Sequence, residues 1–194
     1  KIHCIVEQGE PAEVILEQAE ILKAQYIVMG KMSSAVSAFH FIGPLTMHII
    51  ATAPCPVITV GENQILSGQF ANILLPIDLT KQTLEKINAA ISWAKYYRST
   101  VHLVGVVKKG TKLASSRLVK KLDKAKWIIE QEGVKVSAQA YTEDDRPVEE
   151  VILEHGNKVK ADLMMIMTHQ ELSLTDSYIG AVAQNLIKKS EIPT

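Results

Sequence analysis

Two glycines in the first part of the chain have the spacing of a phosphate-binding loop. Gly30 ends the apolar run "YIVMG", and Gly43 follows thirteen residues later. Glycines at a strand-to-helix turn let backbone N–H groups approach a phosphate, and a hydroxyl at the helix start adds a donor. Lys31 could supply charge and Ser33 a hydrogen bond, but Pro44 has no N–H and no hydroxyl to offer. The loop therefore keeps only part of what a nucleotide site needs.

The stretch "LMMIMTHQELSLTDSYIGAVAQ" has the same outline later in the chain. Gly180 keeps the glycine before the helix, but Met167 and Gln170 stand where Gly30 and Ser33 stand in the first stretch. Their side chains would occupy space that phosphates need, and Ala181 lacks a hydroxyl. The second stretch therefore predicts a turn without nucleotide binding.

The other polar residues predict neither a catalytic site nor a metal site. Asp78 follows the apolar run "NILLPI", where its carboxylate could either contact a ligand or order the first turn of a helix. The histidines at 40, 48 and 169 have no carboxylate or second ligand at a supporting spacing. We therefore expect no enzyme activity and no bound metal.

Composition excludes several classes of protein. The chain has 194 residues, is 47% hydrophobic, and carries 21 basic and 21 acidic residues, so it is globular without a basic face for nucleic acid. Its apolar runs are shorter than the roughly 20 residues of a membrane helix. Cys4 and Cys55 are far apart in apolar surroundings, which favours reduced, buried thiols. We expect a soluble cytoplasmic protein that binds neither nucleic acid nor membranes.

An internal repeat relates the two ends of the chain. The segment "EVILE" begins at Glu13 and again at Glu150, 137 positions later. The same shift places residues 42–43 on 179–180 and Pro56 on Pro193, and no gap is needed. The chain therefore carries two copies of one unit.

The second copy alternates strand and helix. Short runs rich in branched residues, such as "NILLPIDL", "TVHLVGVV", "VKVSAQAY" and "ADLMMIMT", predict buried strands. Between these strands, the stretches after Asp78, before Gly133 and after Pro147 have apolar residues at helical spacing. A last helix is expected near residues 179–188. This order predicts an α/β fold, a doubly wound parallel sheet with helices on both faces.

The segments "ANILLPIDLT", "EVILE" with "KADLMMIMTH", and "APCPVITV" resemble universal stress proteins in their tandem two-domain form. This resemblance implies a Rossmann-like, five-stranded parallel sheet in the order 3-2-1-4-5 and dimerisation through the last strand. In one branch of the family it also implies ATP at the switch point between strands 1 and 4. That branch has the pattern Gly-x2-Gly-x9-Gly followed by Ser or Thr, from which both copies depart. Asp78 matches the acidic residue that faces adenine in the ATP-binding proteins.

The repeat also predicts how the chain is divided. Residues 1–62 correspond to the C-terminal half of a first domain, 63–70 to a linker, and 71–194 to a second domain lacking its last strand. We call residues 1–62 the first unit and residues 71–194 the second unit. The first copy ends with the apolar strand "PVITV", which we expect to pair with the second unit or with another copy in a homodimer, because an open apolar edge is a liability.

From the sequence we therefore expect a stress-response protein that acts by binding or scaffolding, with degenerate nucleotide sites and no cofactor. The alternative is an ATP-binding switch with nucleotide in the first unit only. The candidate residues of the degenerate nucleotide sites are Gly30, Lys31, Ser33 and Gly43 in the first unit and Asp78 and Gly180 in the second unit.

Overall fold

The computed structural model describes residues 2–31, 42–61, 64, 69–80, 83–113, 116–168 and 179–194. Ser33 and Gln170, and with them most of both predicted phosphate loops, lie outside these residues. The division at residues 62 and 71 stays a prediction.

The described part of the first unit consists of two helix-strand pairs. Its elements are α1 (Pro11–Ile21), β1 (Ile27–Gly30), α2 (Pro44–Thr52) and β2 (Val57–Val60). The strands β1 and β2 pair in parallel, with Ile27 opposite Val57 and Gly30 opposite Val60.

The second unit alternates strand and helix as predicted. Its elements are β3 (Asn72–Pro76), α3 (Thr83–Tyr97), β4 (Thr100–Val107), α4 (Arg117–Gln131), β5 (Lys135–Thr142), α5 (Val148–Lys158), β6 (Leu163–Met164) and α6 (Ala181–Lys189). Gly133 has a φ of +73°, a left-handed conformation that glycine adopts without strain, and it ends α4 as expected. The prediction of an α/β fold with parallel strands is confirmed.

The four strands of the second unit form a parallel sheet in the order β5-β4-β3-β6. Numbered within the unit, this order is 3-2-1-4, the first four places of the order that the resemblance implies. The central strand β3 is apolar and buried at Ile73, Leu74 and Leu75, because helices cover both faces of the sheet. On one face α5 lies so close that a Cβ on Gly156 would come within 2.9 Å of the Leu74 side chain.

The repeat is visible in the helix bounds. Adding 137 to the bounds of α1 gives those of α5, and adding it to the bounds of α2 gives those of α6. Lys23 follows α1 and Lys160 follows α5, again 137 positions apart, and both have a positive φ, of 49° and 51°. After each lysine an alanine N–H donates to a carbonyl five residues back, at 2.8 Å for Ala24 and 2.9 Å for Ala161. Both helices therefore end in the same Schellman motif.

The closing strand β2 contacts the second unit. The backbone N–H of Thr59 donates to the carbonyl of Thr194 at 2.8 Å, and the N–H of Thr194 donates back at 3.1 Å. The N–H of Met164 donates to the carbonyl of Pro193 at 2.9 Å, so the residues before Thr194 lie beside β6. Of the two partners expected for "PVITV", the one observed is the second unit of the same chain.

Equivalent residues of the two copies also form the apolar contact between the units. Ile42 and Ile50 pack with Ile179 and Ile187, their counterparts 137 positions later, and all four side chains are at least nine-tenths buried. A surface that packs against its own copy is typical of a two-fold interface. The two units therefore associate as a pseudo-symmetric pair within one chain.

Two expectations need correction. Cys4 is exposed and Cys55 only half-buried, because the neighbours of Cys4, including Ile5 and Val6, are themselves exposed. The strand predicted from "ADLMMIMT" pairs in the sheet only at Leu163 and Met164. Beyond these two residues its backbone makes no regular ladder with β3, although the N–H of Met165 still donates to the carbonyl of Leu74 at 2.9 Å.

We expect Lys160→Gly to stabilise the protein. A non-glycine residue with left-handed φ costs roughly 1–2 kcal/mol, and glycine gives back about 0.5–1 kcal/mol as chain entropy. The free energy of unfolding in urea should rise by about 0.5–1 kcal/mol. Lys158→Gly, within the last turn of α5, should lower it by about 1 kcal/mol and serves as the control. A loss of stability with Lys160→Gly would contradict the helix ending described above.

Candidate functional site

A cleft opens where the strands of the second unit end. Its volume is about 520 Å³, and its walls include residues 76–80 at and after the end of β3, 106–108 at the end of β4, 166–168 after β6, and the beginnings of α4, α5 and α6. The carboxyl ends of parallel strands meet at this edge, and connections that leave β3 and β6 towards opposite faces leave room between them. We refer to this cavity as the cleft.

Asp78 lies at the exposed rim of the cleft and orders the turn that follows β3. Its Oδ1 accepts hydrogen bonds from the backbone N–H of Thr80 at 3.0 Å and from the Thr80 hydroxyl at 2.6 Å. Burial raises the pKa of Asp78, but these hydrogen bonds and the positive charges of Lys86 and Lys121 outweigh burial, so the pKa is lower than usual. The carboxylate is ionised at neutral pH. Of its two predicted roles, ordering the turn is the one for which the structure gives contacts.

Lys86 is the buried charge of the cleft, and it was not among the residues predicted from the sequence. Lys86 is in the first turn of α3, is only 5% exposed, and its Nζ donates to the carbonyl of Pro76 at 2.5 Å. A signal existed in the sequence, because Lys86 shares the buried stripe of α3 with Ala90 and Ala94 at four-residue spacing. A lysine on the apolar face of a helix marks a charge that the fold has to accommodate.

Burial lowers the pKa of Lys86 to about 8. The negative charge of Asp78 acts in the opposite direction, and the positive charge of Lys121 adds to the lowering. The Lys121 ammonium itself donates to the carbonyl of Thr80, so both lysines lie around the turn that Asp78 orders. A substantial fraction of Lys86 is therefore uncharged at slightly alkaline pH.

The described part of the second phosphate loop presents few donors to the cleft. Gly180 lies at the N-cap of α6 and lines the cleft, and Met167 lines the opposite wall. Gly180 has φ −59° and ψ 147°, a conformation open to any residue, so its backbone angles do not require glycine. Ala181 then begins the helix without a hydroxyl.

The predicted residues of the first unit that the structure describes, Gly30, Lys31 and Gly43, are not among those that line this cleft. Gly30 ends β1, and a Cβ there would meet no atom of the described residues within 4 Å. Gly43 is the N-cap of α2, with Pro44 as the first helical residue. The Nζ of Lys31 donates to the carbonyl of Ser190 at the end of α6, 3.0 Å away. Burial lowers the pKa of Lys31 to about 8. In this structure the Lys31 side chain therefore forms a hydrogen bond that links the two units.

A second cavity, of about 440 Å³, lies between the two units. Its walls include β2, residues 163–168 around and after β6, and the side chains of Tyr26 and Trp93. The indole N–H of Trp93 donates to the Tyr26 hydroxyl at 2.6 Å and so joins the units at the edge of this cavity. Lys86 lines both this interdomain cavity and the cleft.

The part of the chain that the structure describes contains no group of three or more His, Cys, Asp or Glu side chains that could hold a metal ion. Of the three histidines considered from the sequence, His48 is exposed, and the other two lie outside the described residues. Among the described helices, none is both long and apolar enough to cross a membrane.

Comparisons with known proteins agree on one family. The model of the universal stress protein family matches residues 1–61 and 69–194. A universal stress protein of Methanocaldococcus jannaschii is 28% identical over 151 residues, which cover 71% of this chain and 84% of that protein. A universal stress protein of Thermus aquaticus is 43% identical over 53 residues, covering 27% of this chain and 39% of that protein.

Solved structures share the fold. A universal stress protein of Archaeoglobus fulgidus superposes with a TM-score of 0.72 at 18% identity; the match covers 95% of this chain but only 64% of that one. The universal stress protein of Archaeoglobus fulgidus in complex with dAMP gives a TM-score of 0.51 at 21% identity and covers 64% of this chain and 94% of that one.

We expect the buried charge of Lys86 to make stability depend on alkaline pH. The pKa of Lys86 is lower in the folded state, about 8, than the ordinary 10.5, so the unfolded chain binds more protons between these values. The contribution of Lys86 to the free energy of unfolding should therefore rise by roughly 3 kcal/mol from pH 8 to pH 10.5.

The comparison with Lys86→Met isolates this contribution, because methionine fills similar space without charge. The variant should be as stable as the wild type or more so at pH 7, and its advantage should shrink as pH rises to 10.5. Urea unfolding of both proteins across this range measures the difference. A constant difference between them would show that Lys86 keeps an ordinary pKa.

Proposed function

Because the chain belongs to the universal stress protein family, we propose that it acts in the stress response by binding and scaffolding and that it catalyses no reaction. The observation that carries this proposal is the second unit's cleft, whose described walls are largely apolar. The charged side chains that line it are Asp78, Lys86, Lys108 and Arg117, and they lie around a mainly apolar surface. Among the described residues we identify no arrangement of nucleophile, base and orienting group.

The second unit's cleft is a poor triphosphate site. Several converging N–H groups at a helix start are needed to hold phosphate, and a bulky side chain beside them blocks the approach. Met167 lies on the cleft wall, and Ala181 replaces the hydroxyl donor. Gln170 adds a third departure in the sequence. We therefore propose that this cleft does not hold ATP in the cell.

The scaffolding role rests on the interface between the units. Backbone hydrogen bonds between Thr59 and Thr194, the isoleucine cluster, and the Lys31 contact with Ser190 hold the two units together. Burying one isoleucine contributes about 1.5–3 kcal/mol, so this cluster alone favours a fixed arrangement. We propose that this intramolecular pairing takes the place of a homodimer contact through the closing strand. We also propose that the protein works in the cytoplasm.

The alternative function is a switch that binds ATP in the first unit only. The observation in its favour is the open space at Gly30, where backbone could approach a ligand without obstruction by a neighbouring side chain. The structure of an Archaeoglobus relative in complex with dAMP makes nucleotide a reasonable ligand to test. Against this alternative, the Lys31 ammonium donates to Ser190 and Pro44 removes an N–H from the start of α2.

Calorimetric titration of the full chain with Mg-ATP tests the proposal. The losses at residues 167, 170 and 181, at about 1.4 kcal/mol each, would weaken a micromolar site about a thousandfold, to millimolar. We therefore expect a dissociation constant in the millimolar range for the wild type. Combining Met167→Gly, Gln170→Gly and Ala181→Ser should strengthen binding. A dissociation constant below about 10 micromolar for the unmodified chain would overturn the proposal.

Gly30→Ala assigns any binding that is found to one of the two units. A methyl group at this position meets no atom of the described residues within 4 Å, so the variant should fold normally. It would weaken binding at the first unit, as the alternative requires, and leave binding at the second unit unchanged.

A further inference from the structure

The amine of Lys86 lies in an unusual place for a purely structural lysine. The side chain is 5% exposed and lines both the cleft and the interdomain cavity. Its one hydrogen bond within the described residues goes to the carbonyl of Pro76, and no carboxylate of those residues lies within salt-bridge distance of it. An ammonium has three donors, and this hydrogen bond uses one of them.

The position of Lys86 works against its charge. The N-terminal turn of a helix carries a partial positive charge, and α3 places the Lys86 ammonium there, inside an apolar wall. The neighbouring Lys121 adds a second positive charge, while Asp78 partly offsets it. Burying a charge at such a place is costly, and groups with a pKa shifted in this way are common at functional sites.

These surroundings are those of a reactive amine. A lysine becomes nucleophilic when an apolar pocket removes it from water or when another cation lies beside it, and Lys86 meets both conditions. With a pKa of about 8 instead of 10.5, its uncharged fraction at pH 7 is about 300 times that of an ordinary lysine. The uncharged form is the one that attacks carbonyl carbon.

We propose that Lys86 captures small apolar aldehydes in the cleft as a reversible imine. The aldehyde class follows from the walls of the cleft that Lys86 lines, where apolar side chains predominate. These side chains include Ile77, Leu79, Val107, Leu118 and Ile152. This inference goes beyond the proposed binding role and requires no nucleotide, so either one can fail while the other stands.

The reaction balances without an oxidant or a reductant. The lone pair of the uncharged Nζ forms a bond to the carbonyl carbon as the carbonyl π bond breaks, and a proton passes from the nitrogen to the oxygen to give a carbinolamine. The hydroxyl of this intermediate takes up a proton from solvent and leaves as water, and the nitrogen lone pair forms the carbon-nitrogen double bond of a protonated imine on Lys86. The ionised carboxylate of Asp78 stabilises the positive charge of the protonated imine.

Reductive trapping tests the proposal on the full chain. A limiting amount of butanal is added at pH 7 with sodium cyanoborohydride, which reduces the imine to a stable secondary amine. Peptide mass spectrometry then measures the label on each lysine. Reduced access to a buried amine offsets part of its chemical advantage, so we expect Lys86 to carry about ten times the label of Lys95, which is half exposed.

Lys86→Arg is the matched variant, because it keeps the charge and removes the nucleophile. We expect this variant to carry no label at position 86, while Lys95 and Lys121 carry as much label as in the wild type. Glyceraldehyde, a polar aldehyde, should show less preference for position 86. Label spread over exposed lysines with position 86 among the least modified would overturn the proposal. The wild-type distribution gives this answer even if the arginine variant does not fold.

Discussion

Parallel pairing of β3 with β4 on one side and with β6 on the other determines where the groups of the second unit lie. Because β3 is buried on both faces, its central side chains are apolar. At its carboxyl end lie polar groups that can contact other groups, namely the carbonyl of Pro76 and the side chain of Asp78. Helix α3 returns from this end and brings Lys86 back against the strand. The cleft, its carboxylate and its amine therefore all result from one central strand.

Sequence patterns predicted most of this architecture because they reflect burial. The strand at Thr100–Val107 has the bounds of the run "TVHLVGVV", since both depend on which residues avoid water. The internal repeat was more informative still, because α1 and α5 have the same bounds after a shift of 137 positions and even share a left-handed lysine after the helix. The length of the strand at Leu163–Met164 was overestimated, because apolar composition indicates that a segment is buried and does not indicate that its backbone pairs with a neighbouring strand.

The site was less accessible to sequence reasoning. Asp78 and Gly180 were found because their positions at a strand end and a helix start follow from the element order, and both line the cleft. Lys86 was missed since lysine is read as a surface residue, although its spacing with Ala90 and Ala94 contradicts that reading. The role of Lys31 depends on Ser190, 159 residues away, and a local motif carries no information about such a partner.

The isoleucine cluster between the units has a consequence for how the protein can vary. In an association of two identical chains, one substitution changes both sides of the two-fold axis together. Here Ile50 and Ile187 contribute to one cluster but are encoded separately, so each side can change alone. The asymmetry between Gly30 and Met167, equivalent positions of the repeat, is a difference that identical subunits could never acquire. Joining the units in one chain thus frees each half to specialise while the shared interface is retained.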